Sequence, residues 1–231
     1  MKAMILAAGL GSRLGELTKA TPKCLMRVGP ATILEHVISR LRAAGVTAAT
    51  INVHHHAEQV VDYIARNSGF GLQIEFSREA ALLDTGGGVK RAAAFFAGEE
   101  AFLIHNADVL SSIDLGALVA SHRARGAIGT LAVLRRQSSR GLYLGGDGQL
   151  LGWTGENAPA PQGGELLGFC GISVASHELF RHMPERPAFS IIEPYLAAAR
   201  STQRVWGVEC PTAQWIDIGT PEQLAAAQRL V

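Results

Sequence analysis

The sequence predicts an α/β fold: a mixed, mainly parallel central sheet with helices on both faces. Three observations lead there. Short apolar runs alternate with amphipathic stretches through the first half of the chain. That strand–helix–strand–helix order favours parallel strands joined by right-handed crossovers. Hydrophobic residues make up 48% of the 231 residues and charged residues 18%, which is enough apolar surface for one continuous core. No linker or internal repeat interrupts it, so residues 1–231 read as one domain, with a first half over 1–125 and a second over 126–231.

Each element has its own signal. Lys2 to Ala7 reads as a buried first strand, and Ala8 to Thr21 as a Gly-rich polar loop. Ala31 to Ala44 puts Ile33, Leu34, Val37, Ile38 and Leu41 at helical spacing, and Gly45 stops it. Ala49 to Val53 is the second strand. Ala57 to Arg66 is a helix with Val60, Val61 and Ile64 on one face. Leu72 to Phe76 is the third strand. Val89 to Phe96 reads as helix after the cluster Gly86 to Gly88, and Ala101 to Ile104 is the fourth strand. The second half turns to shorter strands: Ile128 to Leu134, Leu142 to Leu144, Leu150 to Trp153 and Leu167 to Val174. Gly145-Gly146-Asp147-Gly148 supplies a hairpin turn between two of them. Helices around His177 to His182 and Ile191 to Arg200 follow, then a strand at Arg204 to Val208. Pro221 to Leu230 closes the chain as a helix capped by Thr220.

Composition excludes several functions. Lys plus Arg is 21 and Asp plus Glu is 20, a net charge of +1, whereas a nucleic-acid-coating protein needs a basic excess. Cys24, Cys170 and Cys210 are too few and too scattered for a disulfide framework or a zinc site, and free thiols suit the cytoplasm. The apolar start is short and soon followed by Arg13, so it reads as a strand, not a signal peptide. No apolar run approaches the roughly 20 residues that span a bilayer, so no membrane partner is expected. His54-His55-His56 makes a poor metal set, because neighbours on a strand point to opposite faces. Trp153, Trp206 and Trp215 read as core or rim.

The chemistry begins at Ala7-Ala8-Gly9-Leu10-Gly11-Ser12-Arg13-Leu14, directly after the first strand. Glycines let the backbone approach a ligand, and successive N–H groups in such a turn cradle phosphate oxygens. Arg13 adds a planar, permanently charged fork. Lys23, stiffened by Pro22, adds an ammonium, and together they offset much of a triphosphate's charge. The loop lacks the Gly-Lys-Ser/Thr of a Walker motif. A dinucleotide fingerprint fails at Leu14, where its third Gly belongs, and at Asn52, where it needs an acidic residue.

These residues, with Leu17-Thr18 and Pro22-Lys23, resemble the signature of the sugar-1-phosphate nucleotidyltransferases, the NDP-sugar pyrophosphorylases. The resemblance continues through Asp84-Thr85-Gly86-Gly87-Gly88, Asn106-Ala107-Asp108-Val109 and Trp215-Ile216-Asp217-Ile218-Gly219-Thr220-Pro221, and so covers nearly the whole chain. The sequence departs from the family at Glu16 and Ala107, and Thr154 to Ala158 lacks a Lys that larger relatives carry.

The resemblance implies a Rossmann-like nucleotidyltransferase fold, with a nucleotide-binding first half and a sugar-binding second half. It implies Mg²⁺ as cofactor and an NTP and a sugar 1-phosphate as partners, reacting to NDP-sugar and pyrophosphate. Arg13, Lys23 and Asp108 would be catalytic, and Asp108 with Asp217 would bind the metal. Ala8, Gly9, Gly11, Ser12, Arg13, Asn52, Thr85, Gly86, Gly87 and Asn106 would bind the nucleotide, with the 84–88 glycines letting the base lie on the backbone. Gly141, Glu156, Gly171 and Glu193 would face the sugar. UTP is the expected donor. A GTP-using mannose- or heptose-1-phosphate guanylyltransferase is the alternative, and a non-catalytic nucleotide-sugar-binding regulatory subunit a reading from another class. A monomer or a homodimer is compatible with the sequence.

Overall fold

The computed structural model describes residues 1–138, 141–155 and 160–229. The chain opens with β1 (Lys2–Leu6) and a Gly-rich turn that carries the four-residue helix α1 (Leu17–Ala20). A tight hairpin of β2 (Arg27–Val28) and β3 (Ala31–Thr32) leads into α2 (Ile33–Ala43). Then come β4 (Ala48–Val53), α3 (Ala57–Arg66), β5 (Gln73–Arg78), α4 (Asp84–Arg91), β6 (Ala101–Asn106), β7 (Val109–Ser111) and α5 (Leu115–Arg125). The second half contributes β8 (Gly129–Leu134), β9 (Gly141–Leu144), β10 (Leu150–Trp153), the long β11 (Glu165–Ser176), α6 (Ile192–Thr202), β12 (Val205–Glu209), β13 (Trp215–Asp217) and α7 (Pro221–Ala227).

Nine of the described strands form one mixed sheet. Its spine runs β10-β9-β11-β6-β1-β4-β5, with β8 on β11 and β12 on β8. The strands β6, β1, β4 and β5 are parallel, so their carboxyl ends meet at one edge. From β11 onward the pairing is antiparallel, apart from β12 on β8. Side-chain alternation divides the core in two. Ile5, Ile51 and Leu103 pack against Leu34, Val37, Ile38 and Leu41 of α2 and against α3 and α5. Met4, Phe102 and Ile104 face the other way, onto Val89 of α4 and Ile192, Tyr195 and Leu196 of α6. A third, smaller cluster joins Leu14, Met26, Ile33, Leu110, Ile218 and Ala227, and ties the Gly-rich turn to the end of the chain.

The structure moves several element boundaries. The helix after the first loop starts at Ile33, because Ala31 and Thr32 pair with Val28 and Arg27, and Thr32 Oγ1 accepts from Glu35 N at 3.1 Å. Gly86 to Gly88 lie inside α4, which ends at Arg91, and Ala93–Phe96 is a separate 3₁₀ turn. The closing helix ends at Ala227. The 145–148 turn forms as expected, with Gly148 N bonded to Gly145 O at 2.8 Å, and joins β9 to β10. Among the described residues no helix is long and apolar enough to cross a membrane.

Candidate active site

Parallel strands present ligands at their carboxyl ends, and there the chain gathers residues from both termini. β1 delivers the Gly-rich turn, β6 delivers Asn106, and Asp108 follows two residues later. The decisive piece is a two-stranded ribbon. β13 pairs antiparallel with β7 so that Asp217 stands opposite Val109, and Ile218 N donates to Asp108 O at 2.9 Å. Two carboxylates far apart in sequence thereby become neighbours.

Lys23 lies between them. Its Nζ is 2.5 Å from Asp108 Oδ2 and 3.8 Å from Asp217 Oδ1, and its side chain is only 12% exposed. One cation is thus already held by both carboxylates. Two hard oxygen donors converge there on a single positive charge, and such a pair, with phosphate oxygens and water, fits a divalent ion such as Mg²⁺.

Two cavities flank Asp108. The first, about 380 Å³, is lined by Ala8, Gly9, Asn52, Glu79, Thr85 and Asn106 among others. The second, about 450 Å³, is lined by Arg13, Asn106, Asp217, Gly171, Arg136 and Trp215 among others. Asp108 and Asn106 border both. A nucleoside in one and phosphates in the other would put the reacting phosphorus at Asp108.

The expected site residues divide. Ala8 and Gly9 line the first cavity, and a side chain added at Gly9 would meet nothing within 4 Å, so its backbone is open. Gly11 has φ +64, and a Cβ there would lie 2.9 Å from Thr18 and 3.3 Å from Lys23, so this glycine lets the turn close over the lysine. Ser12 is exposed, and its carbonyl accepts from Gly15 N. Arg13 reaches across to the turn before α7, its Nη2 2.5 Å from where a Cβ of Gly219 would stand.

Asn52 is 3% exposed, and both ends of its amide are engaged: Oδ1 accepts from Ala7 N at 2.7 Å and Nδ2 donates to Glu79 Oε1 at 2.8 Å. It fixes the first turn while its side chain borders the first cavity. Glu79 belongs to none of the sequence motifs. It is a buried carboxylate, 6% exposed, whose other oxygen accepts from Leu83 N at 3.2 Å, so it ties the 79–85 segment to β4.

Gly86 and Gly87 differ from expectation. Both donate their N–H to Phe189 O, at 2.8 and 3.3 Å, and a Cβ on Gly87 would sit 2.1 Å from Pro187 O. They pack α4 against the 187–189 segment and do not open to the cavity. Thr85 does line it, while its Oγ1 accepts from Ile191 N at 2.9 Å.

On the second-half side, Gly171 has φ +71 and lies against Asn106, whose Nδ2 would be 2.7 Å from an added Cβ. It sits where β11 slips register between Phe169 and Ser173. Gly141 N donates to Thr154 Oγ1 at 3.1 Å, a contact within the sheet. Glu193 pairs with Arg186 and accepts from Ser190 N at 3.2 Å, so its carboxylate caps the entry to α6. Glu156 lies outside the described residues.

Thiol chemistry does not fit this site. Burial pushes Cys24 and Cys170 up to about 12, far from a nucleophilic thiolate.

Taken together, a glycine turn at the carboxyl ends of parallel strands, facing paired carboxylates bridged by a lysine, defines an α/β enzyme that works on nucleotide phosphates. The nucleotidyl transferase family profile matches residues 2–143. The chain is 34% identical to N-acetylmuramate alpha-1-phosphate uridylyltransferase of Neisseria meningitidis serogroup B, over 100% of this chain and 98% of the relative. It is 32% identical to the protein of the same description from Caulobacter vibrioides, over 99% and 96%. A putative glucose-1-phosphate thymidylyltransferase from Bacillus anthracis, solved with a sucrose, shares the fold at TM-score 0.85 and 20% identity, over 100% of this chain and 94% of that one. The chain belongs to the nucleotidyl transferase family.

Proposed function

We propose that this nucleotidyltransferase moves the uridylyl group of UTP onto a sugar 1-phosphate, with N-acetylmuramate α-1-phosphate as acceptor, and releases pyrophosphate. The observation that carries the reading is Lys23 shared by Asp108 and Asp217 between two cavities of substrate size. The choice of uracil and of the acceptor rests on the full-length similarity to the two uridylyltransferases. The first half would hold the nucleotide and the second the sugar. The substrates and the three free thiols suit the cytoplasm.

Asp108 and Asp217 would hold Mg²⁺, which when bound neutralises phosphate charge and polarises the reacting phosphorus. The backbone of Ala8 and Gly9 lines the nucleoside side, and Asn52 keeps that backbone in place through Ala7 N. An oxygen of the sugar phosphate attacks the α-phosphorus. A new P–O bond forms, the bond to the β-phosphate oxygen breaks, and the electron pair leaves with pyrophosphate. The attacking oxygen is already anionic near neutral pH, so no general base is required. What the chain supplies is alignment and charge. Arg13 and Lys23 stabilise the charge that grows on the leaving diphosphate.

The test is a pyrophosphate-release assay over four NTPs and a panel of sugar 1-phosphates. The UTP and N-acetylmuramate 1-phosphate pair is expected to give the highest kcat/KM. Release only with GTP and another sugar phosphate would overturn the substrate assignment, and no release with any pair would overturn the reaction.

A further inference from the structure

The chain leaves β8 through two consecutive arginines with opposite fates. Arg135 is exposed and neutralised by Glu165 and Glu209. Arg136 turns inward onto the wall of the cavity that also holds Arg13 and Asp217. Its guanidinium is fixed by neutral groups. Nη2 donates to Phe169 O at 2.6 Å, Nη1 to Gln137 O at 3.4 Å, and its central carbon stacks 3.9 Å from the centroid of the Trp215 ring. Its Nε is buried with no hydrogen-bond partner among the described residues. Trp215 is itself pinned, donating from Nε1 to Cys170 O at 2.9 Å, and it precedes Asp217 on the same short strand.

A half-buried guanidinium held by carbonyls and a ring is costly unless something anionic compensates it. Burial is the largest influence on Arg136 and opposes its charge, and the field of Asp217 offsets part of that. Two carboxylates at the cavity edge are already engaged with Lys23. A rigid planar fork, oriented before any ligand arrives, is the residue type that binds phosphate oxygens with least ordering cost.

We propose that Arg136 is a third cationic anchor of this site and binds a phosphate group in the cavity between Gly171 and Trp215. The proposal rests on the nucleotidyl-transfer reading above. Arg13 lines the same cavity, which favours the diphosphate end of the NTP as the source of that phosphate. The phosphate of the acceptor is the other source of the same chemistry.

The experiment compares Arg136→Met, which keeps the stem packed against Gly168, with Arg136→Lys, which keeps the charge without the fork. Binding of inorganic pyrophosphate to the full chain is read by calorimetry in the presence of Mg²⁺. KM and kcat are then measured separately for UTP and for N-acetylmuramate 1-phosphate. Arg136→Met is expected to weaken pyrophosphate binding and raise the KM for UTP by about tenfold to a hundredfold, with Lys restoring part of the loss. A rise confined to the acceptor's KM also supports an anchor and assigns it to the acceptor phosphate. Unchanged pyrophosphate affinity together with unchanged KM for both substrates overturns the proposal, whatever happens to thermal stability. Pyrophosphate binding that depends on Arg136 in a protein that turns over no sugar 1-phosphate would support the anchor while overturning the nucleotidyl-transfer reaction proposed above.

Discussion

Two glycine-rich segments border the first cavity, and they use glycine for opposite reasons. In the turn after β1, Gly9 faces open space, and its missing side chain leaves backbone free for a ligand. In α4, Gly86, Gly87 and Gly88 are buried against Phe189, Pro187 and the Asn52–Glu79 pair, and their missing side chains let protein approach protein. The lesson is that a run of glycines at a site marks close approach and does not say what approaches. One segment leaves its backbone open at the cavity, and the other closes protein onto protein.

Substitutions can break or sharpen that contrast. The largest effect is expected at the carboxylates that the first turn faces. Asp108→Asn and Asp217→Asn should each lower kcat by about a thousandfold or more with little change in thermal midpoint, because each removes charge from a site that works by electrostatics. Equal activity in either variant, measured by pyrophosphate release, would separate that carboxylate from the reaction. Arg13→Ala follows, with an expected loss of about 10²–10³-fold in kcat and a fold stability close to the parent's.

The glycines divide next. Gly87→Ala drives a methyl group into Pro187 O and should destabilise the protein by about 1–3 kcal/mol or prevent folding, read by denaturant melts. Gly9→Ala should leave stability within about 0.5 kcal/mol, since no atom lies within 4 Å, yet lower kcat/KM for UTP by about tenfold. A Gly9→Ala protein that melts early but works normally would reverse the comparison. The smallest effect on activity serves as a control on the scaffold. His122 is 3% exposed, bonded through Nδ1 to Thr130 Oγ1, and burial pushes its pKa down to about 4. The unfolded chain binds that proton near pH 6.5 and the folded chain refuses it, so stability should fall as pH drops from about 6.5 toward 4. His122→Gln should flatten part of that fall in a series of thermal melts.

The parallel half was readable in the sequence because its strands are continuous apolar runs and its helices carry clear spacing. The helix α5 is weakly marked in the sequence, although Asp114 caps it and Gly126 ends it. Leu115, Leu118, Val119 and His122 form its buried face, and a histidine among them blurs the pattern. The β7–β13 ribbon leaves no mark in the sequence because strands of three residues carry too little periodicity. Asp108, Asp217, Arg13 and Lys23 were legible as motif residues, yet their convergence depends on that ribbon and on the small cluster joining Leu14 to Ile218 and Ala227. Glu79 and Arg136 had no signal. A buried glutamate and one of two adjacent arginines acquire meaning only from what the fold places against them.

The convergence of Asp108 and Asp217 on one cation is the claim that everything else depends on, and Mn²⁺ binding followed by electron paramagnetic resonance tests it directly. Titrated into the full chain with UTP present, Mn²⁺ should fill one site in the parent and bind at least about tenfold more weakly in both Asp108→Asn and Asp217→Asn. Binding that survives Asp217→Asn at parental strength would contradict the account.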